Sequence, residues 1–221
     1  MSNPARRTLF LGVPAVLFAL ITWQVVAHGP LLRADARLSR ALVRPDGFSA
    51  FLSDLGNVQV AVPVLAAAVG YALWRGRGAG LARWWLPPAA AAVLMALLPA
   101  VVVPLKDWAA RPGTPVVPPA VGYYPSGHTA TATVAYGSAT LLLLSWLRSR
   151  AARRAVLALC AALVLGVGYG LVRHGYHWPL DVLASWCLSA VLLTALAAVP
   201  GVSRSSRRTS SGTPSSSSGP S

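Results

Sequence analysis

The chain has 221 residues, of which 55% are hydrophobic and 11% charged, and its mean hydropathy is +0.59. That is too apolar for a soluble domain of this length and places the chain among integral membrane proteins. A net charge of +14 would suggest nucleic acid in a soluble protein, but here the arginines fall in short runs between apolar segments, the pattern of cytoplasmic membrane loops, so no nucleic-acid partner is expected.

A head at residues 1–7 carries Arg6 and Arg7. Residues 8–28 form an apolar run that can span a bilayer and is long for the core of a cleaved signal peptide. Residues 29–55 read as an external loop. Within it Arg33, Arg37, Arg40 and Arg44 recur at helical spacing, opposite Leu31, Leu38 and Leu42, which predicts an interfacial amphipathic helix with a solvated basic face. A second span covers residues 56–74 and closes on Arg75-Gly76-Arg77. The third, residues 85–105, contains Pro87, Pro88, Pro99 and Pro104, which membrane helices tolerate because neighbouring groups re-satisfy the freed carbonyls. A polar external loop follows at 106–126. The fourth span is 127–147, the fifth about 155–173 and the sixth about 179–199. Residues 200–221 are Ser, Arg, Gly, Pro and Thr with one Val, a composition that cannot bury a core and predicts a disordered tail. The expected fold is therefore all-α and polytopic, with one six-helix membrane domain at 8–199.

Six crossings put both termini on one side. That side receives Arg6 and Arg7, then Arg75, Arg77 and Arg83, then Arg148, Arg150, Arg153 and Arg154, then Arg204, Arg207 and Arg208, so it is expected to be the cytoplasmic face of the cell membrane. The five acids, Asp35, Asp46, Asp54, Asp107 and Asp181, fall at the other face. Cys160 and Cys187 lie inside apolar runs, which suggests neither a disulfide nor a metal site.

Three stretches at that acidic face carry chemistry. In Tyr124-Pro125-Ser126-Gly127-His128, a serine N-cap and a glycine open an apolar helix, and the unpaired amides of a helix start suit a phosphate. His128 on its first turn supplies a proton that moves near neutral pH. Lys106 and Arg111 end the third span and reach outward. In Arg173-His174-Gly175-Tyr176-His177-Trp178-Pro179-Leu180-Asp181, Pro179 suits a first helical position. Asp181 then stands where a carboxylate holds the His177 imidazole in one tautomer and leaves its other nitrogen free as a nucleophile. His174 reads as a rim histidine. Tyr123, Tyr124, Tyr176 and Trp178 read as an aromatic belt.

In order and spacing these stretches resemble the type 2 phosphatidic acid phosphatase (PAP2) superfamily, over about residues 50–199. The likeness is to its membrane lipid phosphatases, such as the bacterial undecaprenyl-diphosphate and phosphatidylglycerophosphate phosphatases. The resemblance implies a metal-independent enzyme without a cofactor that cleaves a lipid phosphate or diphosphate at the outer leaflet through a phosphohistidine. It implies His177 as nucleophile, Asp181 as its orienting carboxylate and His128 as the acid for the leaving oxygen. Lys106, Arg111, Ser126, Gly127 and Arg173 would bind the phosphoryl oxygens. The partners implied are the lipid phosphate and the surrounding membrane lipids. Two spacings depart from the family pattern. Lys106 and Arg111 are separated by four residues rather than six, with Gly113 at the usual arginine position; Arg173 and His177 are separated by three rather than five, with Leu171 there. A lipid phosphotransferase and a non-catalytic lipid-binding or transport protein of the same fold are the alternatives.

Overall fold

In the computed structural model, residues 4–80 and 82–202 are described, with side chains from Leu11 onward in the first helix. The expected tail falls outside the described residues from residue 203 on, as do Arg204, Arg207, Arg208 and the side chains of Arg6 and Arg7. Eight helices are described: α1 (Pro4–Val26), α2 (Leu31–Leu42), α3 (Gly47–Asp54), α4 (Val58–Gly78), α5 (Leu86–Ala109), α6 (Gly127–Leu144), α7 (Arg150–His174) and α8 (Pro179–Ala198). Packing continues past α8 to Val202, which is buried.

The helix ends follow from local chemistry. Ser126 caps α6 by accepting the Thr129 amide, and Ser149 caps α7 by accepting that of Ala152. α7 stops at Gly175, whose φ of 87° is a left-handed conformation open to glycine at little cost. Pro179 begins α8, and the Asp181 side chain accepts the Trp178 amide at its mouth. Asp46 and Ser49 form a reciprocal capping box at α3. The Ser49 amide, and after it Arg173, hold the Asp46 carboxyl below the usual carboxylate range.

α6 is the axis of the bundle, packed against α4, α5, α7 and α8. Every residue from Thr129 to Thr140 is buried, and so is Leu142. Small residues let the neighbours approach: a Cβ on Gly137 would stand 2.4 Å from Leu193, and one on Gly168 would stand 2.4 Å from the Trp186 ring. Hydroxyls inside the bundle bond to carbonyls of their own turn, as Thr133 does to Thr129 and Ser185 to Asp181.

Among the described residues, four helices are long and apolar enough to cross a membrane: α4, α5, α7 and α8. A fifth crossing is obtained if α1 and α2, bent by 92° at their junction, count as one span. The expectation of six thus exceeds the number that length and composition support. The difference is α6, which is 18 residues long and rich in threonine. Enclosed by protein rather than lipid, it has no need of an apolar surface all round.

Arg75 lies over the Trp146 ring at one end of the bundle, while Asp35, Asp181, His128 and His177 gather at the other. Where α3 crosses α7, Gly170 allows close contact, because a Cβ there would stand 2.7 Å from the Ser49 carbonyl and 2.8 Å from the Ser53 amide. Gly170→Ala is therefore expected to destabilise the protein by about 1–3 kcal/mol, as overpacking against backbone does, measured as a lower midpoint of thermal unfolding in detergent.

Candidate active site

The His177 ring stands between two groups. Its Nδ1 is 3.3 Å from Asp181 Oδ2, and its edge meets the Tyr123 ring with centroids 5.7 Å apart. A carboxylate can only accept, so Nδ1 carries the hydrogen and Nε2 keeps its lone pair. Asp181 is fully buried. One of its oxygens takes His177 and the Trp178 amide, and the other takes Arg111 Nη1 at 2.5 Å.

His128, on the first turn of α6, places Nε2 2.8 Å from Asn57 Oδ1. Asn57 Nδ2 donates to Asp54 Oδ1 at 3.0 Å. The amide oxygen must therefore face the ring, which makes Nε2 the donor and leaves Nδ1 as the position that varies with protonation. Asn57 precedes the first residue of α4, so one helix start braces the histidine of another.

His177, His128, Asn57, Tyr123, Lys106 and Gly127 line one cavity of about 630 Å³. Lys106, in the last turn of α5, donates to the Gly122 carbonyl at 2.7 Å. The amides of Gly127 and His128 have no protein acceptor among the described residues, so the start of α6 offers two donors and the positive end of its dipole. A second space of about 700 Å³, almost wholly apolar, runs between α4 and α5 over α6, past Leu65, Val69, Met95 and Val102. The two meet at Val58, Lys106, Gly127 and Thr131, which line both. The site thus joins a polar chamber to an apolar groove, with an ammonium and a helix start at the junction.

Three expected phosphate ligands take other positions. Arg111 is 7% exposed and lies between carboxylates, with Nη2 on Asp35 and Nη1 on Asp181. It does not line the chamber. Arg173 turns away altogether: its Nε is 2.9 Å from Asp46 Oδ2 and its guanidinium lies over Tyr169, on a groove bounded by α7 and α8. Ser126 is fully buried, its oxygen accepting the Thr129 hydroxyl and amide while its own amide donates to the Asp181 carbonyl. Only Gly127 of that pair reaches the chamber. The aromatic belt also loses a member, since Tyr124 is fully buried with its hydroxyl 2.6 Å from Thr22 Oγ1, and burial pushes its phenol up to about 12. His174 does not line the chamber; it is bonded to Ser49 and its ring meets that of Tyr176 at a tilt.

Asp35 and Asn57 were the residues the sequence did not reveal. Asp35 had a signal. Together with Ser39, four residues on, it stands on the side of α2 away from the arginine stripe, and a carboxylate on that side of an amphipathic helix implies a buried partner. Among the described residues no three His, Cys, Asp or Glu side chains form a group able to hold a metal ion.

The helical bundle thus carries a His–Asp pair and a second histidine, at a helix start, on one cavity. The family profile of the PAP2 superfamily matches residues 87–204, just over half of the chain, and the protein belongs to that superfamily. Its structure resembles the crystal structure described as that of the first transmembrane PAP2 type phosphatidylglycerolphosphate phosphatase from Bacillus subtilis, with a TM-score of 0.66 and 20% sequence identity, over 83% of this chain and 93% of that one. No curated protein matches the sequence. α1 to α4, and with them Asp35 and Asn57, lie outside the stretch that the family profile covers.

Because Arg173 is turned to Asp46, Arg173→Ala is expected to change phosphate release by less than about threefold, whereas Lys106→Ala should lower it roughly tenfold to a hundredfold, the kinetic equivalent of about 1.5–3 kcal/mol for a charge-assisted bond. Phosphate release by the two purified variants at equal concentration checks the contrast.

Proposed function

We propose that the protein is an integral-membrane lipid phosphatase that hydrolyses a lipid phosphate or diphosphate through a phosphohistidine. The observation that carries this reading is the junction at Lys106 and Gly127, where a chamber holding two histidines opens onto an apolar groove long enough for a hydrocarbon chain. From Val58 to Gly70 along α4 the groove extends roughly 18 Å at 1.5 Å per residue. A free phosphate would need the chamber alone, so the groove favours a substrate with a lipid tail.

In this mechanism the phosphoryl group rests against Lys106 and the amides that open α6. The Nε2 lone pair of His177 attacks phosphorus, forming a P–N bond as the P–O bond to the lipid breaks. His128 gives its proton to the departing oxygen. Asp181 holds the Nδ1 hydrogen and stabilises the cationic ring. Water then attacks phosphorus with His128 as base, the P–N bond breaks and inorganic phosphate leaves. Positioning and charge stabilisation supply most of the acceleration in phosphoryl transfer, and fixed cations and helix amides provide both. Arg111 and Arg173 do not touch the phosphate in this scheme, and neither does the Ser126 hydroxyl.

Undecaprenyl diphosphate, phosphatidylglycerophosphate and phosphatidic acid all fit a single polar chamber with a membrane-facing groove. The positive-inside pattern supports a site at the outer leaflet and both termini in the cytoplasm, with α6 read as an enclosed sixth crossing of a domain at 8–199. Residues 29–55 and 106–126 are then external segments.

His177→Ala is expected to bring phosphate release from these lipids to the uncatalysed background in folded protein, and near wild-type turnover in that variant would sink the mechanism. Wild-type activity should persist in excess EDTA and be inhibited by orthovanadate, because Lys106 and the α6 amides already supply the charge that binds the anion. A bulky side chain in the groove should separate tail from headgroup: Ala66→Trp is expected to raise KM for a long-chain lipid phosphate several-fold while leaving a water-soluble phosphate monoester unaffected, since lost apolar contact acts only on the substrate that makes it.

A further inference from the structure

We infer that Asp35 is a positioning residue for the nucleophile: with Arg111 it sets the charge and the orientation that Asp181 presents to His177. The inference rests on the phosphatase reading above for its kinetic consequence, though not for its geometry. Arg111 Nη2 meets Asp35 Oδ2, Arg111 Nη1 meets Asp181 Oδ1, and Asp35 Oδ1 accepts the Leu180 amide at 2.9 Å. All three side chains are at most 7% exposed. The guanidinium also lies over the Trp178 ring, 5.3 Å from its centroid, and Trp178 Nε1 donates to the Pro112 carbonyl. The fork is thus held from α2, the 110–126 loop and the start of α8 at once.

Charge balance gives this arrangement its meaning. An arginine paired with Asp181 alone would neutralise the carboxylate that His177 leans on, and a neutral pair gives little support to an imidazole becoming cationic. Asp35 takes half of the guanidinium, so two carboxylates and one cation leave a single negative charge behind His177. That charge is what a phosphorylated, doubly substituted ring needs beside it. The other charged or titratable groups facing His177 are Lys106 from α5, His128 from α6 and Tyr123 from the loop. From α7, Arg173 and His174 turn instead to Asp46 and Ser49. Of the groups near the nucleophile, Asp35 is the one that enters from α2, outside the stretch matched by the family profile.

The test uses full-length protein in detergent with ¹⁵N-labelled histidine, the His177 signals being assigned by their loss in His177→Ala. In wild-type protein the neutral ring should be the Nδ1–H tautomer. Asp35→Asn leaves Arg111 to Asp181 alone, so the Nε2–H form should appear, kcat should fall roughly tenfold, and the acid limb of the kcat/KM profile should move to lower pH because the protonated ring loses a nearby negative charge. The double variant Asp35→Asn with Arg111→Gln restores one net negative charge, and both the tautomer and the acid limb should return toward wild type. Arg33→Ala, on the exposed face of α2, should leave all of these unchanged. An Asp35→Asn protein with a wild-type tautomer and an unmoved acid limb overturns the inference, as does a double variant no closer to wild type than the single one. If Asp35→Asn does not fold, Arg111→Gln provides the same contrast: two unshared carboxylates should move the acid limb to higher pH, and removing Asp35 on that background should bring it back. Absence of lipid phosphatase activity in the wild-type protein would remove the function proposed above, and the tautomer measurement would still decide the role of Asp35.

Discussion

The buried contact of one guanidinium with two carboxylates is the constraint on which the histidine-bearing end of this protein depends. Taking three charges out of water costs several kcal/mol per ion, and only close, well-paired geometry offsets it. Removing one member leaves a buried charge unpaired, so every segment that supplies one is held in place. Asp35 fixes α2 across the bundle and explains the 92° bend that separates it from α1. Arg111 fixes the start of the 110–126 loop, whose Gly122 and Tyr123 amides return to the Arg111 carbonyl. Asp181 fixes the start of α8. Through its own carbonyl, which accepts the Ser126 amide, it also fixes the start of α6. The two histidines therefore ride on helix starts that share one anchor.

The rest of the bundle is arranged around the same need to keep polar groups out of lipid. α6 carries His128 and a run of threonines, and a lipid-facing helix could not. Its enclosure by α4, α5, α7 and α8 lets a moderately polar helix stand at the centre, while the lipid contact falls to its apolar neighbours. The arrangement also accounts for the groove. α4 and α5 flank α6 without closing fully over it, and small residues such as Ala66, Gly70, Ala92 and Ala96 line the gap. A channel with apolar walls and Lys106 at its mouth follows directly from that incomplete closure.

Most of the helices were legible in the sequence because hydropathy, capping residues and prolines are local signals, and the boundaries at Gly127, Gly175 and Pro179 lie where those residues predict. The contact of His177 with Asp181 was legible for the same reason: the two are four residues apart across a helix start, so it depends little on the rest of the chain. The arginines were not. A shift of two residues looks small along a sequence, but on a helix it is a rotation of roughly 200°. Leu171 faces the core and its carbonyl accepts the Tyr176 and His177 amides, so Arg173, two residues on, has to face the other way, toward Asp46. Arg111 follows Ala110, which closes α5 in a left-handed turn with φ 42°, and that turn sends the side chain inward. Asp35 was hidden by a different limit: its partner is 76 residues away in the chain, and no local pattern states which distant charge a buried carboxylate will meet.

With both arginines withdrawn, the proposed phosphate site holds one fixed cation, and that alters how it has to work. Lys106 Nζ already donates to the Gly122 carbonyl, so an incoming phosphoryl oxygen adds to or replaces a bond the ammonium makes at rest. An ammonium keeps three donors and can hold both partners, which a planar guanidinium committed to two carboxylates cannot. The remaining stabilisation has to come from the Gly127 and His128 amides, which keep their direction because Ser126 is locked to α8 through both its amide and its carbonyl. Fixed dipoles lose less to reorganisation than long flexible side chains do. The same lock ties their direction to Asp181, so the anchor that orients the nucleophile also aims the donors at the group it attacks.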